Sequence, residues 1–178
     1  MAEPGKAVFR IVINGTMEAV FRELTKTGEP QGAVFNSMLT LDQPGLVRGR
    51  KMQMRTVSGR HAIVVGEVVE HEPPTRFAHT HRFTQYEDPS CTVVYDLRNV
   101  EGGVEVTLTV ENIPAGTKTE NEMMKGGDFI LKNLKAIVET GRPPLGTRLM
   151  YAMFGALEFV LPAKSKSENW PLDPENRP

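Results

Sequence analysis

The sequence has little of several features that would indicate a protein's class directly. Only one of its 178 residues is a cysteine, Cys91, so no disulfide can form within the chain. The formal net charge is -1 and no basic cluster stands out, which argues against nucleic acid as a partner. The amino terminus has no apolar signal segment, and together with the single cysteine this predicts a cytoplasmic protein.

Motifs of covalent catalysis and of metal binding are also missing. There is no Gly-x-Ser-x-Gly elbow and no phosphate-binding glycine loop, and Cys91 has no histidine near it in sequence. No cysteine or carboxylate spacing completes a metal-ligand set with the histidines. The sequence therefore indicates no catalytic residue, no metal and no cofactor, and it favours a protein that is not an enzyme.

What the sequence does contain is the pattern of an antiparallel sheet. Val8 to Ile13 is rich in β-formers, and Thr16 can cap a short helix after it. Between residues 34 and 113, five turn signals separate six strands. The turn signals are 42–45, 58–59, 72–74, 87–90 and 101–103. Short links between successive strands predict antiparallel pairing, because parallel neighbours need long crossovers.

A long helix follows the last strand. Thr119 and Glu122 match a capping box at its start, and Gly141 with the prolines after it marks its end. Steps of four and three place its apolar residues on one face, which must lie against the sheet. These residues are Met123, Gly127, Ile130, Leu134 and Ile137. The fold prediction is α+β, a curved antiparallel sheet of about seven strands wrapped around a long C-terminal helix.

The chain beyond residue 143 is predicted to extend this domain of residues 1–143. Residues 144–161 form an apolar helical extension with Glu158 as the only charge in its apolar part, too short to span a membrane. It packs on its own domain, on the partner in a homodimer through 145–161, or over a cavity mouth as a lid. Residues 162–178 form a proline-containing tail, extended or partly disordered, which Trp170 can pin to the body.

Two phrases carry a family resemblance over about residues 8–143. Residues 66–70 (GEVVE) lead into residues 73–77 (PPTRF), and residues 130–135 (ILKNLK) lead into residues 139–143 (ETGRP). Both resemble segments of the activator of heat shock protein 90 ATPase-like family, in the SRPBCC superfamily with the birch-pollen allergen and START domains. The resemblance implies a helix-grip fold with an internal cavity, often for apolar or amphipathic small molecules.

Two positions depart from the family's pattern. Relatives commonly carry tryptophan where this chain has Gly127 and where it has His81. The glycine on the inward stripe has two interpretations: it leaves room for a ligand, or it serves packing, by a close approach of the helix to the sheet or by a kink.

The cavity wall is predicted from residues that share the inward face of strands and helix. His79 and His81 have the same parity as Phe77 on one strand, and they are open to four interpretations: ligand contacts, acid and base, metal ligands, or hydrogen-bonded sheet residues. The predicted lining is Met52, Met54, Phe77, His79, His81, Tyr95, Met123, Gly127, Ile130 and Leu134.

The favoured function is non-enzymatic binding of a hydrophobic or amphipathic small molecule in this cavity. One alternative is co-chaperone-like activation of a heat shock protein 90 family ATPase, which the resemblance implies. The other is a cyclase or hydratase type of enzyme that uses His79 and His81 for proton transfer.

Overall fold

The protein is described by a computed structural model over residues 5–172. Eight strands and three helices follow one another along this part of the chain. They are β1 (Gly5–Ile13), α1 (Met17–Thr25), β2 (Pro30–Gln31), β3 (Ser37–Leu41), β4 (Lys51–Arg55), β5 (Ala62–Glu72), β6 (Arg76–Phe83), β7 (Cys91–Val100), β8 (Gly103–Ile113), α2 (Lys118–Thr140) and α3 (Leu145–Ala156). Three short 3₁₀ helices follow, at Glu158–Val160, Ala163–Ser165 and Ser167–Asn169.

All eight strands form one antiparallel sheet in the order β1-β8-β7-β6-β5-β4-β3-β2. The predicted meander and its five turns are confirmed, and β1 joins the sheet by pairing with β8. The sequence missed β2, because a strand of two residues has no alternation to detect. The sheet is curved, and the long helix α2 packs against it as the helix-grip fold requires.

The start of α2 differs from the predicted cap. Thr117, not Thr119, is the N-cap, and its hydroxyl accepts a hydrogen bond from the Glu120 amide at 3.2 Å. Thr119 is buried, and its amide and hydroxyl both donate to Asp88 Oδ2 at 2.9 Å. The Thr-x-x-Glu pattern occurs twice, at 117–120 and at 119–122. Only the contact of Thr119 with Asp88 shows which of the two threonines is the cap. Gly141 ends the helix with a left-handed φ of 83°, as predicted.

The core between sheet and helices consists of two packed clusters. The larger one joins α1, through Val20, Phe21 and Leu24, to α2 and the middle of the sheet. The smaller one contains Ala7, Cys91, Val110, Ile113 and Met123 near the start of α2. Residues of both clusters also line a cavity, which therefore lies between two well-packed regions.

The chain after α2 folds back against β4 and the turn between β4 and β5. In the part of the tail that the structure describes, the 3₁₀ helices replace the predicted extended conformation. Ser167 donates to the Gly59 carbonyl at 2.6 Å, and Gln53 donates to the Trp170 carbonyl at 2.6 Å. Trp170 thus lies against the body, and residues 173–178 lie outside the described residues. No helix within residues 5–172 combines the length and apolar character of a membrane span.

Candidate functional site

A cavity of about 1140 Å³ lies between the sheet, α2 and residues 145–161, which we call the cover segment. Its sheet wall includes Val64, Val93 and Leu108, and its cover wall includes Met153 and Phe154. Protein interiors are packed as densely as organic crystals, so a space of this size is not an ordinary packing defect. The walls are predominantly apolar side chains.

Seven of the ten predicted lining residues surround this cavity, and three do not. The seven are Met54, His79, His81, Tyr95, Met123, Gly127 and Ile130. Met52, Phe77 and Leu134 are at most 1% exposed and belong to the larger packed cluster. Residue parity identified the inner face of each strand correctly. It could not show that α1 fills one half of that face and leaves the other half open.

Gly127 allows the helix to approach the sheet closely and does not enlarge the cavity. A Cβ atom at this position would overlap the ring of Phe9, which projects from β1. At Gly126 the nearest atom would be Phe35 Cζ at 3.9 Å, an ordinary contact. The structure therefore favours the second interpretation of Gly127, since Phe9 takes the space of the missing side chain.

His79 and His81 are buried side by side on β6, with ring centroids 5.8 Å apart. His79 Nδ1 lies 2.9 Å from the Thr80 carbonyl oxygen; because a carbonyl only accepts, Nδ1 carries the proton. Burial lowers the pKa of His79 to about 4. Burial, followed by the charge of His79, holds the pKa of His81 well below its usual value. Both rings are neutral at pH 7.

Other reactive groups near the cavity are held in their protonated forms. Burial raises the pKa of the Tyr95 hydroxyl, and it raises the pKa of the Cys91 thiol to about 11. The Cys91 thiol donates weakly to the His81 carbonyl at 3.6 Å. Within residues 5–172, no three histidine, cysteine or carboxylate side chains cluster as metal ligands would. Apart from Glu158, the buried side chains that line the cavity offer hydrogen bonds but no charge.

Most charged side chains that line the cavity lie toward its rim, apart from the half-buried Arg55 and the buried Glu158. Arg60, Glu122 and Lys125 are all exposed to solvent. A molecule in the cavity would therefore meet mainly apolar surface and neutral imidazoles inside, and most of the charges where the cavity opens.

Sequence reasoning did not identify the role of Glu158, which fastens the cover segment to the turn between β4 and β5. The Glu158 side chain is only 8% exposed. It accepts hydrogen bonds from Thr56 Oγ1 at 2.6 Å, Ser58 Oγ at 2.6 Å, His61 Nδ1 at 3.0 Å and Arg60 Nη2 at 3.2 Å. Burial raises the pKa of this carboxyl, but the four donors outweigh burial and lower it to about 2. The sequence signal for this role was that Glu158 is the only charged residue between Leu149 and Leu161.

A row of aromatic rings was also missed, because it draws on three separate segments. The Phe35 ring stacks on Phe129 at 4.8 Å, and Phe129 meets Tyr151 edge-on at 6.5 Å. Tyr151 donates its hydroxyl proton to the Gly32 carbonyl at 2.7 Å and is the only buried residue of α3. These rings form the side of the cavity where α2 meets the cover segment.

Comparison with known families assigns the domain that contains this cavity. Residues 14–139 match the family described as Activator of Hsp90 ATPase homolog 1-like protein. The chain belongs to this family. The predicted membership, and with it the SRPBCC superfamily, is confirmed. The match ends at residue 139, so the cover segment lies beyond the part that defines an Activator of Hsp90 ATPase homolog 1-like domain.

Solved structures share the family's fold. Protein CV1439 from Chromobacterium violaceum is 26% identical, with a TM-score of 0.53 over 75% of this chain and 96% of its own. The Aha1 dimer from Colwellia psychrerythraea is 19% identical, with a TM-score of 0.60 over 77% and 98%. CalU16 from Micromonospora echinospora is 16% identical, with a TM-score of 0.60 over 84% and 83%. No curated protein matches in sequence.

Proposed function

We propose that the protein binds a hydrophobic or amphipathic small molecule in the cavity beneath the cover segment and leaves it chemically unchanged. The observation that carries the proposal is the cavity itself, about 1140 Å³ with mainly apolar walls. Ligand pockets typically measure about 300–1,000 Å³ and combine apolar walls with a few polar groups that orient the ligand. The neutral histidines inside and the charged rim supply such groups.

The scarcity of charged or activated groups on the buried wall favours binding over catalysis, since the one buried carboxylate there, Glu158, is engaged by four hydrogen-bond donors. His79 has one nitrogen engaged with a carbonyl, and burial disfavours protonation of both histidines. A catalytic acid and base need pKa values near the working pH. Burial moves the pKa values of both rings further below 7 and away from that range. Turnover of a bound molecule would be visible as a change in its mass.

A thermal-shift screen tests the proposal. Lipids, aromatic polyketides and flavonoids are suitable probes, since each class is mainly apolar and of suitable size. A ligand at 100 times its Kd should raise Tm by roughly 5–10 °C. Ile130→Trp fills the cavity from α2 and should remove the shift, whereas Lys132→Trp, exposed on the same helix, should keep it. Equal shifts in both variants would contradict binding in the cavity.

We also propose that the outer face of the cover segment pairs with a second copy of the chain. Leu145, Leu149, Phe159 and Val160 are each at least 64% exposed, an unusual concentration of apolar surface. Sedimentation velocity should show that the unaltered protein is a dimer. The variants Leu149→Glu and Phe159→Glu should each be monomers. A monomer at all concentrations would refute this pairing without affecting the cavity.

A further inference from the structure

The buried wall of the cavity contains polar atoms that have no hydrogen-bond partner in the described part of the chain. His79 is 1% exposed and His81 is 9% exposed. Among residues 5–172, His79 Nε2 and both ring nitrogens of His81 have no hydrogen-bond partner. Buried polar groups are nearly always paired in native proteins, so three unpaired nitrogens on adjacent rings require an explanation.

Counting donors and acceptors shows what the pair lacks. His79 Nδ1 donates its only proton to the Thr80 carbonyl, so His79 Nε2 is an acceptor. The neutral His81 ring has one N–H donor and one acceptor. The three free nitrogens therefore comprise two acceptors and one donor. Even if His81 donates to His79, one acceptor is left that only a donor from outside the pair can satisfy.

We propose that the cavity takes an apolar molecule through a hydroxyl group, phenol or alcohol, which donates a hydrogen bond to an imidazole nitrogen of His79 or His81. This inference rests on the proposed function and names the ligand class. Ethers, ketones and carboxylates bring only acceptors and leave the histidine nitrogen unpaired. A carboxylate beside the histidines would in addition lose its hydration where the buried side chains of the wall include no cation.

Access to the pair requires a small movement. The exposed part of His81 does not include its two nitrogens. A turn of the ring about its Cβ–Cγ bond exchanges the positions of its nitrogens and carbons, and we infer that this turn brings a nitrogen to the cavity. His79 cannot turn as freely, because its Nδ1 is held by the Thr80 carbonyl. His81 is therefore the ring expected to meet the ligand first.

Fluorescence titration with four matched probes tests the inference on the unaltered protein. The probes are pyrene, 1-hydroxypyrene, 1-methoxypyrene and pyrene-1-carboxylate. One satisfied hydrogen bond on a buried neutral group predicts that 1-hydroxypyrene binds about tenfold more tightly than pyrene and 1-methoxypyrene. Equal affinities for these three probes, or tightest binding of the carboxylate, would overturn the hydroxyl site and leave the cavity proposal standing. Failure of all four to bind would contradict the proposed function itself.

Variants assign the preference to the histidines. His81→Phe, and the double variant His79→Phe/His81→Phe, should bind 1-hydroxypyrene no more tightly than pyrene. A cooperative urea transition shows that these variants are folded. His81→Gln keeps an acceptor and should keep part of the preference. His71→Phe, which changes a histidine outside the cavity lining, should keep all of it. A full preference in the double variant would overturn the assignment.

Discussion

At the scale of single residues, the missing side chain at Gly127 is a packing requirement, because the Phe9 ring occupies its place. The sequence pattern placed it on the inward stripe of α2 and left two interpretations open. Only the structure shows the Phe9 ring against its Cα position. Phe9 comes from β1, more than a hundred residues away along the chain, so no local pattern could have revealed the contact.

Gly127→Ala should destabilise the protein by about 1–3 kcal/mol, because the new methyl group overlaps the Phe9 ring. Gly126→Ala is the matched control on the neighbouring residue, and it should be neutral or stabilising by up to about 1 kcal/mol. The two effects can be compared by urea denaturation.

A double variant shows whether Phe9 is the cause. Combined with Phe9→Ala, Gly127→Ala should cost less than the sum of the two single changes by at least about 0.5 kcal/mol. Strict additivity, or a stabilising Gly127→Ala, would show that Phe9 does not limit this position.

The buried histidines should make the protein sensitive to mild acid. Their folded-state pKa values lie below the usual 6.5, so the unfolded chain takes up protons first as the pH falls. The contribution of these rings to the free energy of unfolding is therefore complete above about pH 6.5 and declines toward pH 4. At pH 4 the loss due to His79 alone is roughly 3 kcal/mol.

Urea midpoints between pH 7 and pH 4.5 measure this loss. His79→Phe/His81→Phe should show a much shallower decline than the unaltered protein. His71 and Glu158 titrate in both proteins, so the difference between the two curves isolates the pair. Parallel curves would mean that these rings are protonated as easily in the folded protein as in the unfolded chain.

At the scale of elements, the meander of β3 to β8 and the end of α2 at Gly141 were predictable, while the N-cap of α2 and the role of the extension were not. Alternation and turn residues define strands locally, so β3 to β8 follow from the sequence. The true cap Thr117 depends on Asp88, which holds the competing residue Thr119. Likewise the fastening of the cover segment depends on Glu158 meeting donors about a hundred residues earlier in the chain.

Glu158→Ala should loosen the cover segment without unfolding the sheet. The change removes the acceptor of four hydrogen bonds and leaves Thr56, Ser58 and His61 without it, a loss of about 2 kcal/mol. Hydrogen exchange of residues 145–172 should accelerate roughly 10- to 100-fold, and ligand should dissociate faster.

Glu87→Gln is the control for the Glu158 variant. Glu87 forms a long, exposed ion pair with Lys164 at 3.7 Å, which should contribute little. If Glu158→Ala leaves exchange in residues 145–172 as slow as in Glu87→Gln, the carboxylate does not hold the cover.

At the scale of the whole molecule, the fold class and the family could be recognised from the sequence, and the cavity wall only in part. Strand parity and helix periodicity identify which side chains point inward, as they did for His79 and Ile130. They do not show which inward region is filled, as Met52 and Phe77 demonstrate. That distinction depends on where α1 and the cover segment lie, a property of the assembled chain.

The central claim is that the cavity holds one small apolar molecule, and native mass spectrometry measures this most directly. The unaltered protein, mixed with the ligand that most raises Tm, should show one adduct per chain of unchanged ligand mass. Lys132→Trp should show the same adduct and Ile130→Trp should show none. An adduct of equal abundance in all three proteins, or in none of them, would contradict the claim.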